Sequence, residues 1–75
     1  MYCNAFASFE IAAIRADLIA AERKLQPPVG SASWNDCRTV DALLRDVHNV
    51  EDAQLRADML GTAAGIVARL RAQGG

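Results

Sequence analysis

Between residues 5 and 21 the chain has only four polar side chains, Ser8, Glu10, Arg15 and Asp17. Nothing breaks a helix before Pro27-Pro28, so the sequence predicts one helix over about residues 4–26. A helix that is apolar on nearly every side is normally buried on every side. One further helical hairpin cannot cover both sides of it, and a second copy of the chain is the simplest cover for the remaining side.

Because the chain is short, it has few other residues that could bury the second side of this helix. Folding 75 residues costs conformational entropy of about 110 kcal/mol, at roughly 1.5 kcal/mol per residue, and a core built from so short a chain is marginal. Alanine, the best helix former, fills 15 positions, and no segment alternates like a β-strand. The sequence therefore predicts one all-α domain over residues 1–75, either three helices or a long helix against a bent one. We expect it to assemble as a homodimeric helical bundle.

The first helix has two apolar sides with different expected uses. Its core side is the stripe Ile11, Ile14, Leu18 and Leu25, flanked by Ala7 and Ala21. Its other side carries Phe6, Phe9, Ala13, Ala16 and Ala20. Because a core needs only one side of a helix, we expect the second side to serve self-association.

A loop is predicted over residues 27–33, where two prolines, a glycine and two serines cannot sustain a helix. Ser33 is expected to cap the second helix, and Asp36 three residues later completes a shortened capping box. That helix is predicted over about residues 34–48. Its core stripe is Cys37, Val40, Leu44 and Val47, with Leu43 beside it.

The apolar pattern changes phase near Asn49, which together with Glu51 and Asp52 resembles an N-cap followed by an acidic first turn. A third helix is therefore predicted over about residues 50–72. Its expected core stripe is Leu55, Met59, Ala63, Ile66 and Leu70, with Val67 beside it. A single bent helix over residues 34–72 is the alternative, because no glycine or proline forces the break.

Small residues recur along the third helix. Gly61 and Gly65 belong to a stripe that also contains Ala57, Ala68 and Ala72. Each glycine costs about 1 kcal/mol of helix propensity, whereas small residues let two helix backbones approach closely. We expect Gly61 and Gly65 to serve self-association, with the alanine side of the first helix as a mate. The alternative is that both glycines are ordinary surface residues.

No group of residues in the sequence is typical of catalysis. A catalytic histidine needs a nucleophile and an orienting partner, and the only histidine, His48, is expected at a helix end. The acidic residues are scattered and there is no Gly-rich phosphate loop, so no metal ion and no cofactor are expected. We therefore expect the protein not to be an enzyme. Cys3 and Cys37 are expected as reduced thiols, with one disulfide as the alternative.

The charge balance weighs against nucleic acid as a partner. Eight basic and nine acidic residues give a formal net charge of −1, whereas proteins that neutralise phosphates are clearly basic. The start of the third helix, which a helix-turn-helix protein would use to read DNA, carries Glu51, Asp52 and Asp58. Neither a secretory signal nor a membrane span is predicted, and a cytoplasmic location is expected.

Protein–protein interaction is the function that fits these features. Trp34 begins the second helix, where it is either a lid on the core or an anchor for a partner. Arg38, Arg45 and Arg56 are expected on polar faces, and arginine makes planar, multidentate contacts. We expect these four residues to bind an unidentified protein, so that the chain inhibits or regulates a larger complex, for example as a phage-encoded anti-defence inhibitor. The alternative is a small helix-turn-helix DNA-binding regulator.

Overall fold

Three helices make up the fold in the computed structural model, and the described residues form no strand. The structure describes the backbone of residues 2–74 and the side chains of residues 9–73. Helix α1 spans Tyr2–Leu25, α2 spans Ala32–Asp46 and α3 spans Ala53–Gly74. The predicted all-α fold with three helices is therefore confirmed.

The end of α1 is set by the two prolines that follow it. Gln26 precedes Pro27, which disfavours a helical backbone, and it adopts a left-handed φ of 43°. The Gln26 N–H donates to the Glu22 carbonyl at 2.8 Å. A left-handed residue of this kind commonly closes the last turn of a helix, so α1 stops one residue before the predicted boundary.

The start of α2 differs from the prediction, because Ser31 and not Ser33 is the N-cap. The Ser31 backbone is extended, and its Oγ accepts a hydrogen bond from the Trp34 N–H at 3.2 Å. Ser33 lies in the first turn, where its hydroxyl donates to Gln73 Oε1 at 2.9 Å. The capping box of Ser33 and Asp36 is therefore wrong. Two serines with the same capping chemistry stand two residues apart, and only the path of the loop selects between them.

A break separates α2 from α3, so the alternative of one bent helix is wrong. A short 3-10 turn, Val47–Asn49, follows α2. Asp52, not Asn49, caps α3, because Asp52 Oδ1 accepts the Gln54 N–H at 3.0 Å. Asparagine and aspartate are both good N-cap residues. Asn49, however, is part of the 3-10 turn and is not available to cap α3.

Helix α2 runs antiparallel to α1 and α3, which therefore lie parallel to each other. An ion pair crosses each pair of helices: Arg15–Asp41 at 3.3 Å, Asp36–Arg69 at 4.0 Å and Asp17–Arg71 at 3.7 Å. Exposed pairs of this kind contribute at most about 1 kcal/mol each. They favour this arrangement of the helices, whereas apolar burial supplies most of the stability.

All three helices contribute to the buried core. Its members are Ile11, Leu18, Ala21, Cys37, Val40, Leu44, Val47, Leu60, Ala63, Val67 and Leu70. The predicted core stripe of α2 is confirmed in full. On α1, Ile14 and Leu25 are half-buried at the edge of this core.

The predicted core stripe of α3 is wrong at two positions. Leu55 is 49% exposed, whereas Leu60, which the prediction omitted, is buried. The buried side of α3 is one stripe that includes Leu60 and Val67 and leaves out Leu55. The buried residues Leu60, Ala63, Val67 and Leu70 repeat the i, i+3, i+7, i+10 spacing of the α2 stripe.

Candidate protein-interaction surfaces

A furrow made of three adjoining depressions runs between α1 and α3, and no described residue of α2 lines it. Small residues form much of its walls: Ala13, Ala20, Ala57, Gly61, Ala64 and Ala68. The stretch beside Ala20 and Ala68 has a volume of about 540 Å³. We call this feature the α1/α3 furrow. Because its walls are alanine and glycine, another helix can approach the two backbones closely there.

Four charged residues also line the α1/α3 furrow. Glu10, Asp17 and Lys24 come from α1, and Arg71 comes from α3. The prediction omitted all four. The signal that could have found the first three is their spacing of seven residues, which places them in one line along a helix.

The residues predicted for self-association on α1 are open to solvent. Phe9 is 80% exposed, and Ala13, Ala16 and Ala20 are exposed as well. Ala13 and Ala20 line the α1/α3 furrow, and Phe9 lies one turn before Ala13 on the same side of α1. The side chain of Phe6 lies outside the described residues.

The two glycines of α3 do not pack against α1 within one chain. Apart from the neighbouring backbone of α3 itself, a Cβ atom added at Gly61 or Gly65 would meet no described atom within 4 Å. Neither glycine therefore packs closely against the alanine side of α1 within one copy, and their pairing between two copies stays a prediction. Gly61 lines the α1/α3 furrow, so it stays available to a second molecule.

Three of the four predicted partner-binding residues share one face of α2. Trp34, Arg38, Asp41 and Arg45 are separated by four, three and four residues, which places them on one side of the helix. We call this side the α2 outer face. Trp34 is half-buried, and the Arg38 guanidinium lies 5.6 Å from the centroid of its ring. The tryptophan ring therefore supports an exposed cation.

Asp41 holds the middle of the α2 outer face in place. Its carboxylate accepts hydrogen bonds from Arg45 at 2.7 Å and from Arg15 of α1 at 3.3 Å. The hydrogen bond from Arg45, together with that from Arg15, holds the pKa of Asp41 below its usual value, although partial burial opposes the shift. The carboxylate is thus ionised at neutral pH, and it restrains the Arg45 guanidinium.

Arg56, the fourth predicted residue, belongs to α3 and is engaged elsewhere. Its Nε and Nη2 donate to the Val50 carbonyl at 3.2 Å and 2.6 Å. These bonds satisfy a carbonyl in the connection between α2 and α3, where no helix supplies a donor. The structure does not bring Arg56 into the α2 outer face.

Cys37 is a buried free thiol on α2. Burial raises the pKa of the Cys37 thiol, and the nearby carboxylates of Glu22 and Asp36 raise it further. The side chain of Cys3 lies outside the described residues.

We expect Cys37 of the native protein to react with iodoacetamide on the order of 100-fold more slowly than in the denatured chain, because the reagent needs a thiolate and an opened core. A Cys3→Ser variant isolates this thiol, and mass spectrometry with and without urea measures both rates. Equal rates in the two conditions would show that the thiol is accessible in the folded chain.

The described residues also bear on other kinds of site. His48 is exposed on the 3-10 turn. Among the side chains of residues 9–73, no three of the His, Cys, Asp or Glu type are grouped so as to hold a metal ion. No helix in the part of the chain that the structure describes combines the length and apolar character needed to cross a membrane.

Comparisons with protein-family models, curated proteins and solved structures found no match.

Proposed function

We propose that this chain is a non-catalytic protein–protein interaction module that acts as a homodimer and binds a larger protein. The observation on which this proposal rests is the exposure of Phe9, which is 80% open to solvent beside the α1/α3 furrow. Leaving a phenylalanine exposed forgoes about 2 kcal/mol of burial. Exposed apolar patches bordered by polar residues are typical of interaction sites.

The α2 outer face supports the binding of a partner of a different kind. Tryptophan and arginine are the residue types that most often dominate binding energy at protein interfaces. Here the Trp34 ring restrains Arg38, and Asp41 restrains Arg45. A side chain that is already restrained loses less entropy when it binds.

Inhibition or regulation of a larger complex requires only that this face cover a functional surface of the target. The chain needs no catalytic group of its own for such a role. A cytoplasmic setting is part of the proposal, because reducing conditions keep a thiol such as Cys37 free.

Substitutions on the α2 outer face test the binding of a target. We expect Trp34→Ala and Arg38→Glu each to weaken target affinity by at least about tenfold, as losses at interface anchors do. The target is first purified from a lysate of the source organism on the tagged wild-type chain, and affinities are then measured by calorimetry. Thr39→Glu is the matched control, because Thr39 is exposed on α2 but points about 100° away from Arg38.

Thermal melting followed by circular dichroism separates lost binding from lost folding. Weaker binding by Arg38→Glu with unchanged melting supports the proposal. If Arg38→Glu and a Trp34→Ala protein that still folds both bind the target with unchanged affinity, the binding site lies elsewhere on the chain. A gel shift with duplex DNA whose affinity falls steeply with salt would indicate the DNA-binding regulator instead.

A further inference from the structure

The charges of the α1/α3 furrow change sign from one end to the other. Glu10, Asp17 and Lys24 follow one line along α1 at intervals of seven residues. Asp17, in the middle, is paired with Arg71 across the furrow at 3.7 Å. Among the side chains of residues 9–73, neither Glu10 nor Lys24 has an ion-pair partner within 4.0 Å.

Glu10 and Lys24 cannot neutralise each other within one copy. They are 14 residues apart on one helix, which corresponds to about 21 Å at 1.5 Å per residue. That separation is more than twice the Debye length of about 8 Å at physiological ionic strength. The α1/α3 furrow of a single copy therefore has an acidic end, a neutralised middle and a basic end.

We propose that the α1/α3 furrow receives the same furrow of a second copy in the antiparallel direction, around a two-fold axis that passes near Asp17. This arrangement rests on the self-association in the proposed function and specifies its geometry. Asp17 lies midway between Glu10 and Lys24, so one axis places Glu10 of each copy against Lys24 of the other. A parallel arrangement would instead place glutamate against glutamate and lysine against lysine.

The walls of the furrow suit this occupant. In the proposed dimer, α1 and α3 of two copies form a four-helix bundle, and alanine and glycine at positions such as Ala64 and Gly61 let the helices approach closely. The interface uses the same surface on both copies, as a two-fold dimer requires. Phe9 of each copy borders the bundle and loses solvent contact. No described residue of α2 lines the furrow, so the α2 outer face stays exposed.

Charge reversal tests whether the α1/α3 furrows of the two copies pair in the antiparallel direction. We expect Glu10→Lys and Lys24→Glu each to raise the dimer dissociation constant by about tenfold or more, because each replaces two attractions with two repulsions. The double variant with both changes restores opposite charges at both contacts, so its dissociation constant should return to within about threefold of wild type. Sedimentation equilibrium at low ionic strength measures all of these constants.

Matched controls carry the same charge changes outside the furrow. Arg23→Glu and Glu22→Lys alter exposed neighbours on α1 and should leave the dissociation constant unchanged. A dimer that is insensitive to reversal at Glu10 and Lys24 would overturn the antiparallel geometry while leaving the proposed self-association intact. A wild-type chain that stays monomeric at high concentration would overturn both.

Discussion

Gly61→Leu is expected to abolish the dimer while leaving a single copy at least as stable as the wild type. Space around Gly61 is open among the described residues, so a better helix former should add up to about 1 kcal/mol to the stability of one copy. In the proposed dimer, leucine at this wall of the α1/α3 furrow holds the two copies apart. Overpacking of this kind costs on the order of 1–3 kcal/mol.

Two measurements on the same variant, made at different concentrations, separate these effects. Light scattering coupled to size exclusion gives the mass, which should fall from about twice 8.0 kDa to 8.0 kDa. Thermal melting at a concentration where the wild type is also dissociated gives the stability of one copy. Thr62→Leu is the control, because Thr62 is exposed and does not line the furrow. A Gly61→Leu protein that dimerises like the wild type would show that Gly61 is an ordinary surface residue.

Leu44→Ala is expected to remove most of the stability of the fold. Leu44 is 0% exposed at the centre of the core, and replacement of a buried leucine by alanine costs about 2–5 kcal/mol. A domain of this size has roughly 5 kcal/mol to lose. Urea denaturation followed by circular dichroism should therefore show a much earlier or a lost transition.

Leu55→Ala removes the same atoms from a different setting. Because Leu55 is 49% exposed, its loss should cost less than about 1 kcal/mol. Equal losses for the two variants would contradict the core described above, and in particular the placement of Leu55 outside it.

The sequence predicted the buried positions of α2 more accurately than those of α3. A single helical period identified Cys37, Val40 and Leu44 correctly, whereas the stripe predicted for α3 included Leu55 and left out Leu60. Both helices pack against two others, so the number of neighbours does not explain the difference. Helix α3 carries large apolar residues on more than one side, so hydrophobicity alone does not decide whether Leu55 or Leu60 faces the core.

Helix starts were harder to predict than helix interiors for a local reason. Ser31 and Ser33 are chemically equivalent caps, and so are Asn49 and Asp52 to a first approximation. The choice between them depends on the backbone of the preceding loop, which is fixed by how the helices pack.

The α2 outer face and the small-residue walls of the α1/α3 furrow could each be predicted in part. Helical spacing alone places Trp34, Arg38 and Arg45 on one side of α2. The hydrogen bond from Arg56 to the Val50 carbonyl could not be predicted, because it depends on the path of the connection between α2 and α3. Tertiary packing sets that path. The charges of the furrow become meaningful only once α1 and α3 are known to be parallel neighbours.

The position of α2 on the outside of the fold has a consequence for avidity. In the proposed dimer the two-fold axis gives two α2 outer faces, held by rigid helices at a fixed separation. A target that is itself dimeric or repetitive could bind both faces at once. The second contact would then be intramolecular, because the first contact already holds the two partners together. Such bivalent attachment can strengthen binding by about 10²–10⁴ without any new contact. A weak single-site affinity would thus be compatible with slow release of a symmetric target.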